Sequence, residues 1–279
     1  MKHLYLTLYG TLLTVAILCG VWLAYYLGDS QRQKATYQAL AEEYTLSAPS
    51  PETVPGEKSP PSQEISMEED SPSKATENQE SVVVTLTNTP ARHDMAALQA
   101  KNPDCIGWLT IPNTSVDYPV VWTPTDPEHY LRRDFYGDSA SGGTPFLDGR
   151  NLPQTEGQNL ILYGHNMMDG SMFKPVVQYL VPNFLVTHQD IYLELDGNQY
   201  HYKVEAALAT DNRCSLYSYT DLSDPVEASE FRRALLQEGE LDVVHHAPGY
   251  LTLSTCNNQG GNSRVLVVAA LQGEVIPGH

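Results

Sequence analysis

The most apolar stretch of the chain lies at its amino end, where residues 4–28 contain no charged side chain. This run, LYLTLYGTLLTVAILCGVWLAYYLG, exceeds the roughly 20 residues that a membrane-spanning helix needs. A cleaved signal peptide would have a shorter apolar core, followed by small residues at its cleavage site. Here Trp22, Tyr25 and Tyr26 stand near the end of the run, as aromatic residues do at a membrane interface. We therefore predict a retained transmembrane helix over residues 4–28, preceded by a short tail at residues 1–3.

The segment that follows the apolar run is polar and changes character once. Residues 29–46 have helical spacing with Asp29 or Ser30 as the N-cap, which predicts a juxtamembrane helix. The segment 47–87 is, up to about Ser81, rich in Pro, Ser and Glu and nearly devoid of large apolar side chains. Because such a composition cannot bury a core, we predict a disordered acidic spacer there.

From residue 88 onward the pattern is that of a folded domain, which we assign to residues 88–279. A helix is expected first, in ARHDMAALQAKN. Eight short apolar or alternating runs then follow, separated by Pro, Gly, Asn and Asp: IGWLTIP, VDYPVVW, TPFLDG, QNLILYGH, DIYLELD, NQYHYKVEAALAT, GYLTLSTC and RVLVVAAL. Runs of this length and spacing predict a mainly β fold, a closed or nearly closed barrel.

Two helical patterns interrupt the predicted strands. GSMFKPVVQYL follows the fourth run. SDPVEASEFRRALLQEG precedes the seventh run, with Ser223 or Asp224 as its cap, Pro225 at its first position and Gly239 as its stop. The barrel is therefore expected to carry helices in at least two of its connections.

Charge and cysteine content exclude several classes of function. The formal net charge is −18 and Lys and Arg form no cluster, which argues against nucleic acid as a partner. The four cysteines include no CxxC pair, and the adjacent His245 and His246 have no further ligands nearby, so no metal or other cofactor is predicted. Cys19 falls in the membrane run, and a disulfide between Cys105 and Cys214 is left open by the sequence.

A lone thiol and a guanidinium flank one predicted turn. Cys256 ends the run GYLTLSTC, the segment NNQGGNS follows, and Arg264 begins the run RVLVVAAL. If these strands pair antiparallel, the two residues face each other about 5 Å apart across the ladder. Arginine stays charged at any accessible pH and holds several donors rigidly, which suits it to stabilising an oxyanion. Cys256 is therefore a candidate nucleophile with Arg264 as its partner.

His165 is the candidate group for proton transfer, because it ends another apolar run, LILYGHNM, and is expected at the same rim of the barrel. Two structural alternatives stay open. A single cysteine at a strand end is often a small buried apolar residue. A Gly-His-Asn stretch is often a turn whose imidazole bonds its own backbone.

These motifs together resemble the sortases, extracytoplasmic cysteine transpeptidases of Gram-positive bacteria, and most closely class B. The resemblance rests on LTLSTC with an arginine eight positions after the cysteine, on LYGHNMMDGSMF, and on NPDCIGWLTIPNTSVDYPVVW and HYLRRDFYGDSASGGTPFLDGRN. It covers about residues 88–271. It implies an eight-stranded sortase-type barrel with N-terminal helices and a helix inserted before the Cys strand. It also implies that Cys256 is the nucleophile, His165 the general acid and base, and Arg264 the stabiliser of the transition state.

The resemblance further implies what the protein acts on and where. The expected substrates are secreted proteins with C-terminal, NPxTN-like sorting signals, cleaved after threonine through a thioester on Cys256. The expected acceptor is an amine of a lipid-linked peptidoglycan precursor. The protein would cross the cell membrane once, with residues 1–3 cytoplasmic and the catalytic domain outside. A pilin-polymerising or hydrolytic sortase, and a non-catalytic tethered binding module, are the alternatives.

Overall fold

The computed structural model describes residues 2–46, 89–239, 244–257 and 261–275, so the predicted spacer at residues 47–87 lies outside the described part. The α-helices of that part are α1 (Lys2–Tyr44), α2 (Met95–Lys101), α3 (Lys174–Gln178), α4 (Pro182–Thr187) and α5 (Pro225–Glu238). Its strands are β1 (Cys105–Thr110), β2 (Asp117–Val121), β3 (Phe146–Leu147), β4 (Asn159–Tyr163), β5 (Asp190–Leu195), β6 (Asn198–Asp211), β7 (Tyr250–Cys256) and β8 (Ser263–Glu274). Short 3-10 helices cover His129–Arg132 and Ser215–Ser218.

The eight strands close into a barrel in the order β1-β2-β3-β4-β7-β8-β6-β5. Each of the eight runs predicted from the sequence forms one strand, so the predicted barrel is confirmed. The pairs β2–β3 and β4–β7 are parallel and the other pairs are antiparallel. Because β4 and β7 run in the same direction, their carboxyl ends lie at the same rim of the barrel.

Strand β8 reads as an unbroken apolar run because both of its faces are covered. Alternate side chains, Val265, Val267 and Ala269, belong to the core inside the barrel. The side chains between them, Leu266, Val268 and Ala270, belong to a second apolar cluster that also contains Phe231 and Leu235 of α5. The helix inserted before β7 therefore buries the outer face of β8, and burial on both faces removes the usual alternation.

Helix α5 forms as predicted, and the other inserted helix is shorter than its sequence pattern. The Asp224 carboxylate caps α5 by accepting from the backbone N–H of Val226. The pattern GSMFKPVVQYL yields only the five residues of α3, and the unpredicted α4 begins shortly afterwards at Pro182. Both helices have proline in their first turn, where the missing N–H costs no hydrogen bond.

Helix α1 is one continuous helix through both the predicted anchor and the predicted juxtamembrane helix. The expected N-cap at Asp29 or Ser30 is therefore not formed, because the preceding residues are already helical. Among the described residues, α1 alone is long and apolar enough to cross a membrane, judged by length and composition, and none of its apolar window is buried. Its carboxyl half is packed on the barrel, through buried side chains at helical spacing: Ser30, Gln33, Tyr37, Leu40 and Tyr44.

The chain before and the chain after the undescribed segment between α1 and α2 are joined by backbone contacts. Thr45 and His93 form an isolated antiparallel bridge, and the backbone N–H of Leu46 donates to the Arg92 carbonyl at 2.7 Å. Helix α2 therefore begins at Met95, later than the predicted start near residue 91, with the Asp94 side chain as its cap. The predicted spacer consequently adds no distance between α1 and the barrel.

All four cysteines are free, which rules out the disulfide that the sequence left open between Cys105 and Cys214. Cys105 lies in the core inside the barrel, whereas Cys214 lies in the cluster beneath α5. Burial raises the pKa of the Cys105 thiol to about 12 and also raises the pKa of the Cys214 thiol. Neither thiol is therefore ionised to any useful extent at neutral pH.

Candidate active site

Cys256 and Arg264 face each other across neighbouring strands. Cys256 is the last residue of β7, and the antiparallel register pairs it directly with Arg264 near the start of β8. The hairpin expected from the sequence is thus confirmed as a pairing. The Arg264 side chain donates to the Ser263 carbonyl at 3.0 Å. Within the described residues it forms no ion pair with a carboxylate, so its charge is available to a ligand.

His165 reaches the same rim because β4 runs parallel to β7. Tyr163, the last residue of β4, pairs with Ser254, and the Gly164 N–H donates to the Ser254 carbonyl. The Thr255 hydroxyl donates to the Gly164 carbonyl at 2.7 Å. These bonds carry the chain from β4 alongside the last residues of β7, so His165 follows at the level of Cys256.

Asn166 adds a further link between the two strand ends. Its side-chain Nδ2 donates to the backbone carbonyl of Cys256 at 2.8 Å. The residue after the candidate base is therefore bonded to the candidate nucleophile's own backbone. The relative position of the two chain segments is held by main-chain geometry, which is stiffer than a side-chain contact alone.

One cavity of about 620 Å³ has all three predicted site residues in its wall: Cys256, His165 and Arg264. Each of the three is partly exposed. The structure therefore brings together in one cavity the three residue types that a thiol acyl transfer requires: a nucleophile, a proton carrier and a cation.

The imidazole of His165 is fixed by a backbone acceptor. Its Nε2 lies 2.8 Å from the Leu131 carbonyl, and a carbonyl only accepts, so Nε2 carries a proton. In the neutral ring the lone pair is then on Nδ1. Burial lowers the pKa of His165, the Leu131 hydrogen bond opposes that shift, and the nearby charge of Arg132 adds to it. The neutral ring, able to accept a proton at Nδ1, is therefore the favoured form near pH 7.

A polar and aromatic wall lines the same cavity. The Tyr163 hydroxyl donates to the Asp148 carboxylate at 2.9 Å, and the Arg150 guanidinium binds the same carboxylate through two nitrogens, at 2.9 and 2.8 Å. Burial opposes ionisation of this carboxylate, but Arg150 holds the pKa of Asp148 below its usual value. The ring of Tyr163 also stacks on that of Tyr217, with centroids 6.3 Å apart.

Tyr217 in turn is joined to β7, because its hydroxyl shares a 2.7 Å hydrogen bond with the Ser254 hydroxyl. The wall is thus anchored to the same strand that ends in Cys256. Asp148 and Tyr217 lie in connections and Tyr163 ends β4, so these residues meet only in the folded chain and no local pattern assigns them a shared role.

The described residues include no group of three or more His, Cys, Asp and Glu side chains able to hold a metal ion. His245 instead contacts the Glu205 carboxylate through Nδ1 at 2.7 Å.

Comparisons with known proteins identify relatives of this chain. The family model described as the sortase domain matches residues 109–272. Sortase B of Listeria monocytogenes is 30% identical over 195 residues, which cover 69% of this chain and 78% of that protein. The structure of the Staphylococcus aureus sortase B–substrate complex matches with a TM-score of 0.57 at 28% identity, covering 64% of this chain and 84% of that one. Sortase B from Bacillus anthracis matches with a TM-score of 0.57 at 30% identity, covering 65% and 85%.

Proposed function

This chain belongs to the sortase family and is a cysteine transpeptidase of the class B type, and from that premise we propose which residues act, on what, and where. Cys256 is the nucleophile, His165 the general acid and base, and Arg264 the residue that stabilises the oxyanion. The observation that carries this assignment is the shared cavity, in which Cys256 and Arg264 are direct cross-strand partners.

The first half of the reaction follows from the chemistry of these groups. His165, neutral and with its lone pair on Nδ1, accepts the Cys256 proton as the sulfur attacks the carbonyl carbon of a threonine residue. The oxygen of that carbonyl gains negative charge, which the Arg264 guanidinium stabilises. The proton then passes from His165 to the departing amine, the C–N bond breaks, and a thioester on Cys256 remains.

The substrates are secreted proteins with a C-terminal, NPxTN-like sorting signal, and the acceptor is an amine of a lipid-linked peptidoglycan precursor. Class B membership supports this choice of signal, and a sortase B neighbour of known structure is itself a complex with substrate. The size of the cavity, about 620 Å³, supports entry of an extended peptide of several residues.

The protein is anchored in the cell membrane by α1, with the catalytic domain outside. The length and composition of α1 support a membrane span, and no residue of its apolar window is buried by the rest of the described chain. Trp22 and Tyr25 are both exposed near the end of that window, where an aromatic interface belt is expected.

The decisive experiment offers the full chain, in detergent micelles, a panel of sorting peptides together with soluble amines. We expect cleavage of NPxTN-like peptides after threonine and a thioester adduct of matching mass on Cys256. The full chain is needed because Tyr37, Leu40 and Tyr44 of α1 are buried against the barrel, and a domain starting at residue 88 would expose that surface.

Matched cysteine variants make the assay specific. Cys256→Ala is expected to abolish both cleavage and adduct, whereas Cys19→Ala, at an exposed position of α1, is expected to leave them unchanged. Peptide cleavage that persists in Cys256→Ala would overturn the assignment. Products joined to pilin lysines, or hydrolysis without transfer even when peptidoglycan amines are present, would replace the proposed acceptor.

A further inference from the structure

His165 borders two cavities, and only one of them contains Cys256. The second cavity, of about 510 Å³, lies between the loop that follows β4 and the apolar half of α1. Its wall includes Trp22, Tyr25 and Tyr26 from α1 and His165, Asn166 and Met168 from the loop. His165 therefore lies at the junction of the two cavities.

Helix α1 is bonded to both loops that surround this second cavity. The Asp29 carboxylate accepts from the Ser141 N–H at 2.9 Å and from the Ser141 hydroxyl at 2.6 Å. One turn later, the Gln33 side chain accepts from the Gly142 N–H. On the other side, the Lys34 ammonium lies 3.1 Å from the Asp169 carboxylate. The position of α1 beside His165 is thus fixed by hydrogen bonds to two separate loops.

The same contacts fix the distance between the cavity and the membrane interface. Tyr25 precedes Asp29 by four residues, which is about 6 Å along a helix axis. The segment after α1 cannot lengthen this distance, because Leu46 is bonded to Arg92 where the chain returns to the barrel. The second cavity therefore opens at the level of the interfacial aromatic residues.

The polar groups of the second cavity suit an amine. The Asn166 side chain uses Nδ2 on the Cys256 carbonyl, and its buried Oδ1 has no hydrogen-bond partner among the described residues. An unpartnered buried oxygen is costly, and a small rotation would let it accept from an incoming N–H. Arg132 also lines this cavity and is exposed, which places a cation where an anionic headgroup would lie.

We propose that the second cavity receives the acceptor, the amine-bearing peptide of a membrane-bound, lipid-linked peptidoglycan precursor, while the sorting signal occupies the cavity of Cys256. This inference rests on the proposed function and assigns the two substrates to two cavities that meet at His165.

The transfer step then needs no group other than those already described. The neutral amine attacks the thioester carbonyl carbon, a C–N bond forms and the C–S bond breaks. The amine gives up one proton to Nδ1 of His165, and that proton finally returns to the Cys256 sulfur. The same ring accordingly serves both half-reactions without changing its hydrogen bond to Leu131.

Narrowing the second cavity tests this assignment. Met168 is 73% exposed and lines the second cavity, so Met168→Trp fills space there without removing a hydrogen bond. Val181→Trp is the matched control, because Val181 is 56% exposed and lines neither cavity. The full chain is reconstituted in phosphatidylcholine vesicles with purified lipid-linked precursor and a sorting peptide. We expect Met168→Trp to lower the ratio of transfer to thioester hydrolysis about tenfold or more, and the control to leave it unchanged.

A labelling measurement gives an independent result. Lipid-linked precursor carrying a photoreactive group next to its amine is expected to label peptides containing Tyr25 or Met168. Labelling confined to the opposite wall of the Cys256 cavity, near Pro127, would overturn the proposal, as would an unchanged transfer ratio in Met168→Trp. Failure of the proposed function can be told apart from failure of this inference. If the proposed function is wrong, no thioester forms on Cys256, whereas the labelling still reports where the amine binds.

Discussion

Replacing Leu40 by alanine is expected to loosen the carboxyl half of α1 from the barrel. Leu40 is only 1% exposed and belongs to the main apolar core together with Tyr37, Met95 and Leu98. It therefore joins α1 to the helix and strands of the catalytic domain.

The size of the effect follows from the side chain removed. Taking away three carbon groups at about 0.8 kcal/mol each costs about 2.4 kcal/mol of transfer free energy. The cavity left behind adds to this, so the free energy of unfolding is expected to fall by about 2–5 kcal/mol. A loss of this size is a large fraction of the stability of an ordinary domain.

The measurement is urea unfolding of the full chain in nonionic detergent, followed by tryptophan fluorescence, to which the fully buried Trp108 contributes. Gln38→Ala is the matched control, because Gln38 lies on the same helix and is exposed. The control is expected to change the unfolding free energy by no more than about 0.5 kcal/mol. Equal values for the two variants would mean that α1 is not packed on the barrel, and would remove the basis for the second cavity.

Three further outcomes are expected at the site itself. Arg264→Ala should lower kcat for peptide cleavage about 10²–10³-fold in steady-state kinetics, which is the usual loss for one oxyanion donor. A near-normal kcat would exclude Arg264 as the residue that stabilises the oxyanion. Because burial lowers the pKa of His165, the ring should titrate below about 6.5 when followed by NMR. The neutral ring then persists as the pH falls from 7 and is protonated only below about pH 6.5. A titration midpoint above about 6.5 would contradict the assignment. Iodoacetamide at pH 8 should alkylate Cys256 before the wholly buried Cys105, whose pKa is about 12, and mass spectrometry of peptides would reveal the opposite order.

The barrel and the meeting of Cys256 with Arg264 are predictable from the sequence because both depend on local patterns. Each strand is a short apolar run between turn residues, and a thiol and a guanidinium that flank one turn must face each other once the hairpin forms. The position of His165 is less local. It requires β4 and β7 to be parallel neighbours, a fact of topology that the apolar run before His165 does not encode.

The docking of α1 was missed for a different physical reason. Its buried positions do follow a helical pattern, with Tyr37, Leu40 and Tyr44 at spacings of three and four. The other contacts are made by polar side chains, such as those of Asp29 and Gln33, whose partners are backbone groups of remote loops. Polar residues after a membrane segment are ordinarily solvated, so their composition predicts exposure. The pattern was visible, but nothing local identified the surface that it packs against.

The hydrogen bond between Leu46 and Arg92, which closes the connection after α1, bears on how transfer to the amine competes with hydrolysis of the thioester. A thioester in water is always exposed to hydrolysis, so transfer wins only if the amine is held close at a high effective concentration. A flexible tether between membrane and barrel would allow the active site to leave the bilayer surface, where a lipid-linked amine is confined. In this chain the bond between Leu46 and Arg92 excludes the predicted spacer from that role, and α1 runs without interruption from the apolar window to its contact with the barrel. If α1 spans the membrane as proposed, this continuous helix keeps His165 at the depth where the proposed acceptor is concentrated, and the acidic segment has no part in setting that depth.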